Sequence, residues 1–154
     1  MSDAASADST SHEPDHAAFM HAVMEMNPNS LMKRMQIEVT EGTAERLVAR
    51  MPVEGNTQPY GLLHGGASVV LAETLGSLGS AMHAGPDRVA VGLDINATHH
   101  RAVRTGFVTG TATAITLGNT LACYEVVITD ESDRRVCTCR ITCLIRDKAP
   151  ATPA

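Results

Sequence analysis

The segment Gly61–Ala84, GLLHGGASVVLAETLGSLGSAMHA, decides the fold of this chain. From Gly66 to Met82 nearly every side chain is aliphatic or small, which predicts one long apolar helix. Glu73 is the only ionisable residue in that run. A carboxylate on a solvated helix face is the alternative, but an exposed face normally carries several charges and this one carries none nearby. We therefore interpret Glu73 as a functional carboxylate, because an unpaired charge among apolar groups is costly.

The start of this helix is the second informative feature. Gly65 and Gly66 follow His64 and allow a tight turn that leaves the first backbone N–H groups unpaired. Such a terminus attracts developing negative charge. With Glu73 two turns further along, the pattern suggests acyl chemistry, in which a carboxylate attacks or activates water and N–H groups stabilise an oxyanion. Glycines that serve only close packing remain the alternative.

Composition limits the class of protein. The 154 residues are enough for one domain with a real core. The net charge is −5, Lys and Arg do not cluster, and there are two Phe, two Tyr and no Trp, which argues against a nucleic-acid partner. The first residues lack the basic and apolar parts of a secretory signal, and no apolar run is long enough for a membrane span. We expect a cytoplasmic protein with no membrane partner.

Four cysteines lie near the carboxyl end of the chain, at Cys123, Cys137, Cys139 and Cys143. The last three have the same parity, so in a strand they share one face. A C-x-C pair in a strand lacks the chelating turn of a metal knuckle, and buried reduced thiols are favoured over a metal site. No metal and no cofactor are predicted.

The segments before the central helix are predicted as follows. Residues 1–14 are too polar to order, and Asp15 can cap a short helix over 16–26. The chain becomes extended from Leu31, with strands over 35–40 and 44–51 and a turn at Glu41-Gly42. A loop over 52–59 then delivers the amide of Gln58 to the helix start, although a surface Gln is an equally ordinary reading.

After the helix, Gly85-Pro86-Asp87 ends it, and four strands are predicted over 89–96, 106–116, 121–129 and 135–145. An antiparallel sheet must cover the apolar helix, which predicts an α+β domain over 15–146 with a curved sheet around the helix and a flexible tail over 147–154. Its edge strands favour dimerisation. At the end of the first of these strands, His99, His100 and Arg101 suit an anionic ligand such as a phosphate, or form an exposed polar loop.

One stretch resembles a known family. Gln58–Ser68, QPYGLLHGGAS, followed by Glu73 and Ser77, is similar to the hotdog-fold acyl-CoA thioesterases of the Glu-dependent type, which include the 4-hydroxybenzoyl-CoA and phenylacetate-pathway enzymes. GLLHGGASVVLAETLGS and VGLDINATHHR are most similar to the enterobactin proofreading and 1,4-dihydroxy-2-naphthoyl-CoA thioesterases. The similarity extends from about Met51 to Ile145.

The resemblance implies a hotdog fold and roles for five residues. Glu73 would be the nucleophile or the general base. The Gly65 N–H and the Gln58 side chain would polarise the thioester oxygen, His64 would orient the thioester, and Ser77 would hold water or the aryl group. It also implies a site at a subunit interface of a homodimer or a dimer of dimers, where Glu73 faces Gln58 and His64 of a partner chain.

The resemblance also implies a substrate path. The residues that would line the path for coenzyme A and the acyl group are Gly92, His99, His100, Arg101, Ala102, Thr116, Leu117, Gly118, Asn119, Thr120 and Leu121. Of these, Arg101 would contact a phosphate. The first candidate substrate is 1,4-dihydroxy-2-naphthoyl-CoA, an intermediate of menaquinone biosynthesis. Hydroxybenzoyl, phenylacetyl and carrier-protein-bound aryl thioesters are alternatives.

The sequence disfavours three other functions. A non-catalytic acyl-CoA-binding module would need no Glu73 and would accompany a DNA-binding domain. A hotdog dehydratase would need a His and Asp pair near the helix start, where the Asp is missing. Ser68 lies in G-G-A-S rather than G-x-S-x-G, so the nucleophile elbow of an α/β hydrolase is absent from this stretch.

Overall fold

The structure, a computed structural model, describes Ala22, Val23, Glu25 and residues 27–148. The named elements, in chain order, are α1 (Leu31–Arg34), β1 (Glu38–Gly42), β2 (Arg46–Pro52), α2 (Gly65–Ala84), β3 (Arg88–His99), β4 (Phe107–Leu117), β5 (Leu121–Asp130) and β6 (Arg135–Asp147). Within these described residues, no helix is both long enough and apolar enough to cross a membrane.

The central helix α2 is confirmed, with ends slightly beyond the predicted ones. His64 is its N-cap, and the ring Nδ1 accepts a hydrogen bond from the Gly66 N–H at 2.8 Å. At the other end, Gly85 has φ 76 and its N–H donates to the Ala81 carbonyl. A positive φ is inexpensive only for glycine, so this residue ends the helix sharply.

The six strands form one antiparallel sheet in the order β1-β2-β4-β5-β6-β3. This order places β1 and β3 at the two edges. Along the chain, α2 comes between β2, which lies next to one edge of the sheet, and β3, which forms the other edge. The helix therefore lies across the concave face of the sheet. The predicted α+β architecture, a curved sheet around one long helix, is confirmed.

Two glycines allow α2 to lie close to the sheet. A Cβ atom on Gly76 would be 2.3 Å from Cγ2 of Ile141, and one on Gly79 would be 2.7 Å from the Tyr124 hydroxyl oxygen. Tyr124 is fully buried, and its hydroxyl donates to the Ala44 carbonyl at 2.7 Å. Burial raises the pKa of Tyr124, which keeps this phenol a donor. The small residues of the helix are therefore required by packing.

The extended chain predicted from Leu31 is wrong. Leu31–Arg34 forms one helical turn because the Ser30 hydroxyl caps it, accepting from the Lys33 N–H at 3.3 Å. Gln36 then has φ 56, which excludes it from a strand, and β1 begins only at Glu38. A local cap thus prevails over the apolar alternation that suggested a strand from residue 35.

The predicted turn at Glu41-Gly42 is also wrong, because both residues belong to β1. A bulge between Val39 and Glu41 adds a residue to the strand and moves the turn to positions 43–45. β2 therefore begins at Arg46. The four later strands are confirmed, but β3 continues past Asn96, since its last residues pair with β6 as far as His99 opposite Cys137.

The structure describes the two ends of the chain only in part, so the predictions made for them are only partly covered. Of the helix predicted over 16–26, Ala22, Val23 and Glu25 are helical, and the rest lies outside the described residues, as does the tail 1–14. β6 includes Asp147, one residue into the predicted carboxyl-terminal tail. Lys148 follows and donates to the Pro86 carbonyl.

The predicted burial of three cysteines is confirmed. Cys137, Cys139 and Cys143 are almost completely inaccessible, Cys123 is half-buried, and all four are free thiols. The Sγ atoms of Cys137 and Cys139 are 3.6 Å apart, as expected for alternate residues of a strand that point to the same face.

Candidate active site

A tight turn brings Gln58 to the start of α2. The Gly61 N–H donates to the Gln58 carbonyl at 2.9 Å, and Gly61 has φ 72, which this turn requires. The Tyr60 N–H donates to Oε1 of Gln58 at 2.9 Å. This bond fixes the orientation of the amide, and its Nε2 amino group has two hydrogens to donate.

The first residues of α2 also present donors. The Gly65 N–H has no hydrogen-bond partner within the part of the chain that the structure describes. Nδ1 of His64 accepts from the Gly66 N–H, so in the neutral ring the proton is on Nε2. His99 lies against the same turn, since a Cβ atom on Gly65 would be 2.9 Å from its Nε2. A larger residue at position 65 would have to displace the His99 ring.

Gln58, Gly65 and His99 open onto a cavity of about 400 Å³, which His64 does not line. It is lined by Gln58, Leu62, Leu63, Gly65, Ser68, His99, His100, Arg101, Ala102 and Val136. Six of these residues belong to the predicted site. The chain after β3 stays beside β6 because the His100 N–H donates to the Val136 carbonyl at 2.8 Å. The His100 ring also contacts the Thr138 hydroxyl, with Nε2 2.9 Å from Oγ1.

Four cavity residues were not predicted: Leu62, Leu63, Ser68 and Val136. Three of them could have been inferred from the sequence, because the two leucines lie between the predicted site residues Gln58 and His64, and Ser68 lies one helical turn after Gly65. Ser68 is only 1% exposed, and it faces the cavity from inside the helix. No signal existed for Val136, because its place depends on the pairing of β6 with β3.

Glu73 lies in the middle of α2 and belongs to a different cluster. The Ser77 hydroxyl donates to Oε1 of Glu73 at 3.2 Å. Gly92 of β3 lies over the same oxygen, since a Cβ atom there would be 2.8 Å from Oε1. Glu73 is half-buried and does not line the cavity at the helix start. Eight residues of helix place its Cα about 12 Å along the axis from that of Gly65.

The predicted path residues 116–121 lie elsewhere again. They include the last two residues of β4, the connection 118–120 and the first residue of β5, near the carboxyl end of α2. His83 Nε2 is 2.9 Å from the Gly118 carbonyl oxygen, and Arg88 donates to the Asn119 side chain at 2.8 Å. A twenty-residue helix is about 30 Å long, so this connection and the cavity are at opposite ends of it. One chain alone does not bring them together.

The edge strand beside Glu73 is open in the isolated chain. Among the described strands, β3 is hydrogen-bonded only to β6, and on it Val91 and Leu93 are 39% and 58% exposed. The bulge of β3 lies between Gly92 and Asp94, at the point that covers Glu73. Exposed apolar side chains on a long unpaired edge are typical of a surface that pairs with another strand.

Residues 60–137 match the family model described as the thioesterase superfamily. The chain belongs to the thioesterase superfamily. It is 43% identical over 124 residues to the proofreading thioesterase EntH of Cronobacter turicensis, covering 80% of this chain and 90% of that protein. The family assignment makes the chain a hydrolase that acts on thioesters.

Solved structures agree with this assignment. A thioesterase from Haemophilus influenzae superposes with a TM-score of 0.77 at 37% identity, covering 83% of this thioesterase and 88% of that chain. A glutamine-to-alanine variant of a thioesterase from Pseudomonas aeruginosa gives 0.79 at 34% identity, covering 89% and 98%. This thioesterase therefore has the hotdog fold, and no group of three metal-ligating side chains occurs among its described residues.

Proposed function

We propose that this thioesterase hydrolyses an aromatic acyl thioester at a site shared between two copies of the chain. Glu73 of one copy would act with Gln58, His64 and Gly65 of the other. The observation that carries this proposal is the separation of the two clusters within one chain. The donors surround the cavity at the helix start, whereas Glu73 faces Gly92 on the open edge strand β3.

The helix-start donors suit a thioester oxygen. The free Gly65 N–H and the Nε2 group of Gln58, whose oxygen is occupied by the Tyr60 N–H, would both donate to that oxygen as negative charge develops on it. One such donor contributes about 3 to 4 kcal/mol to lowering the barrier. His64 would orient the thioester through Nε2, because its Nδ1 is engaged by the Gly66 N–H.

Glu73 would supply the attack. As a nucleophile, its carboxylate adds to the thioester carbonyl carbon, the thiolate leaves and takes a proton, and water then cleaves the acyl anhydride. As a general base, it removes a proton from the water that attacks the same carbon. Both routes release a free acid and a thiol. Ser77, whose hydroxyl donates to Oε1, would hold the carboxylate and the attacking water in place.

The substrate path would combine both copies. His99, His100, Arg101 and Ala102 line the cavity, and Arg101 is exposed where a phosphate of coenzyme A could bind. Gly92 and residues 116–121, around the β4–β5 connection, would come from the partner copy. The exposed Val91 and Leu93 on β3 support strand pairing between copies, and we propose a homodimer that assembles into a dimer of dimers.

The acyl group is proposed from the resemblance. We favour 1,4-dihydroxy-2-naphthoyl-CoA and therefore a step of menaquinone biosynthesis, with hydroxybenzoyl-CoA and phenylacetyl-CoA as related candidates. The similarity to proofreading thioesterases supports a second candidate, an aryl thioester presented by a carrier protein.

The test is thiol release from 1,4-dihydroxy-2-naphthoyl-CoA, 4-hydroxybenzoyl-CoA, phenylacetyl-CoA and a straight-chain acyl-CoA. The wild type should favour an aromatic substrate. Glu73→Gln, which keeps the shape of the side chain, should lower kcat by about a hundredfold or more. Glu45→Gln, at an exposed turn, is the matched control and should leave kcat unchanged. A fully active Glu73→Gln variant, or a preference for the straight-chain substrate, would overturn the proposal.

A further inference from the structure

Ser68, in the first turn of α2, is a polar residue of the cavity that the proposed chemistry does not use. It is only 1% exposed, yet it lines the cavity together with Gln58 and Gly65. A side-chain hydroxyl this deeply buried is usually hydrogen-bonded, because a buried polar group without a partner costs free energy. The Ser68 hydroxyl therefore requires a partner.

Two other hydroxyls of α2 have partners within the helix. Thr74 donates to the Val70 carbonyl at 2.8 Å, and Ser77 donates to Oε1 of Glu73 at 3.2 Å. Ser68 makes no side-chain hydrogen bond of either kind within the part of the chain that the structure describes. Its hydroxyl is thus left over by the fold.

The usual partner of a helix serine, the carbonyl four residues earlier, is engaged by other donors. For Ser68 this is the His64 carbonyl, which accepts from the Ala67 N–H at 2.9 Å and from the Ser68 N–H at 3.4 Å. A carbonyl oxygen has two lone pairs, and backbone donors use both of them here. The Ser68 hydroxyl therefore remains available to a ligand.

Ser80 is the opposite case on the same helix. It is 0% exposed, and among the described residues its hydroxyl is the one buried side-chain polar atom that is sealed from solvent without a hydrogen bond. The Ser68 hydroxyl is not sealed in this way, so it is open to the cavity that its residue lines. Ser68 thus faces a space for a ligand, whereas Ser80 is enclosed by the core.

Helix geometry directs the Ser68 hydroxyl towards Gly65. Residues three apart lie on the same face, and each Cα–Cβ bond tilts towards the amino end, so the Ser68 side chain leans over the turn that begins at Gly65. Gly65 has no side chain to intervene. Its N–H, which has no partner in the described part of the chain, belongs to the same cavity lining. Two unused donors of one helical turn therefore face the same part of the cavity.

On the basis of the function proposed above, we propose that Ser68 is a third hydrogen-bond donor to the thioester oxygen and hence a further catalytic residue. The thioester carbonyl oxygen has two lone pairs, which the Gly65 N–H and the Gln58 amide would use. When the carbonyl carbon becomes tetrahedral, this oxygen gains a negative charge and a third acceptor position. The Ser68 O–H would donate there, in the state whose stabilisation accelerates the reaction.

A nucleophilic role for Ser68 does not fit its surroundings. A serine hydroxyl attacks a carbonyl when an adjacent base takes its proton. Among the described residues, no imidazole or carboxylate is hydrogen-bonded to Ser68, and Nδ1 of His64 is engaged by the Gly66 N–H. The hydroxyl therefore keeps its proton and acts as a donor.

Ser80 provides a matched control. Ser68→Ala and Ser80→Ala remove the same atom from the same helix, and alanine is the most favourable helix residue, so both variants should fold. Ser80 does not line the cavity at the helix start. Only the loss of the Ser68 hydroxyl should therefore affect the reaction.

The test compares kcat, KM and thermal unfolding of four variants with the wild type, on two thioesters that differ in their acyl group. Ser68→Ala should lower kcat about tenfold or more on both, because a hydrogen bond to a charged oxygen is lost. KM should stay within about twofold, since the third bond is absent from the ground state. Ser68→Thr keeps the hydroxyl and should have a clearly higher kcat than Ser68→Ala. Ser80→Ala should stay within about twofold of the wild type, and Glu73→Gln should be inactive.

The outcomes separate this inference from the proposed function. If Glu73→Gln is inactive while Ser68→Ala and Ser80→Ala have the same kcat, the donor role is wrong and the proposed function stands. A loss in Ser68→Ala that appears in KM rather than kcat, or with only one of the two acyl groups, also overturns the donor role. The same holds for a loss that threonine does not recover. An active Glu73→Gln overturns the proposed function itself.

Discussion

Nε2 of His99 lies directly over Gly65, so close that a Cβ atom at position 65 would be 2.9 Å from it. The His99 side chain at the end of strand β3 therefore lies against the backbone at the start of helix α2. This contact brings His99 to the cavity that holds the free Gly65 N–H and the Gln58 amide. The first prediction follows from this distance.

Gly65→Ala should remove most activity without unfolding the protein. Alanine is favourable in a helix, but its methyl group must displace either the His99 ring or the Gly65 N–H. We expect kcat/KM to fall about a hundredfold, because small displacements of catalytic groups are that costly. Thermal unfolding should change little. Adding His99→Ala should recover part of the kcat lost in Gly65→Ala, and wild-type activity in Gly65→Ala alone would contradict the contact.

Gln58→Glu should be as inactive as Gln58→Ala. A carboxylate can still accept from the Tyr60 N–H, but it cannot donate to a thioester oxygen and it repels the developing charge. We expect kcat to fall by about 10² to 10³ in both variants. Gln36→Asn, at an exposed turn with φ 56 that asparagine tolerates, is the control. Activity retained by the glutamate variant would show that Gln58 does not act as a donor.

Gly76→Ala should destabilise the fold. Its methyl group would be 2.3 Å from Cγ2 of Ile141, and forced overpacking of a core costs about 1 to 3 kcal/mol. Urea unfolding should show the loss, and Ile141→Ala should relieve it. The double variant should be more stable than the sum of the two single changes implies. Strict additivity would mean that these two residues do not limit the approach of the helix to the sheet.

Asp130→Asn should lower stability at neutral pH and lose this effect in acid. The side-chain hydrogen bond from Arg134 holds the pKa of Asp130 below its ordinary value. A carboxyl whose pKa is lower in the folded state stabilises the fold above its unfolded pKa, and this contribution disappears as pH falls through the folded value. Urea midpoints of wild type and variant should therefore begin to approach each other below about pH 4 and should coincide once the pH is below the folded pKa. Midpoints that already coincide at neutral pH would show that the ion pair contributes nothing, and a constant difference at every pH would show that the effect does not depend on ionisation of Asp130.

The sequence predicted the central helix and the positions of the four later strands well, because the apolar run of α2 and the apolar–polar alternation of those strands are strong local signals. It failed at Leu31–Arg34 and at Glu41-Gly42. In the first case a Ser30 cap, and in the second a bulge in β1, overrode the alternation. Neither feature changes hydrophobic periodicity, so periodicity could not reveal it.

In the candidate site too, residues with a local signal in the sequence could be predicted, whereas residues placed by strand pairing could not. Glu73 was predicted as a site residue because it is a lone carboxylate in an apolar helix, whereas the roles predicted for Gln58 and Gly65 rested on the family resemblance and on the glycines at the helix start. Val136 was not predicted, because only strand pairing brings it to the cavity.

The central claim is that Glu73 and Gln58 of one working site come from different chains. Glu73→Gln and Gln58→Ala homodimers should each be nearly inactive. After they are mixed, dissociated and allowed to reassociate, half of the dimers contain one of each chain, and each such dimer carries one intact site. Activity should rise to about a quarter of the wild-type value. If subunit exchange is complete and activity stays at the level of the separate variants, the shared site is contradicted.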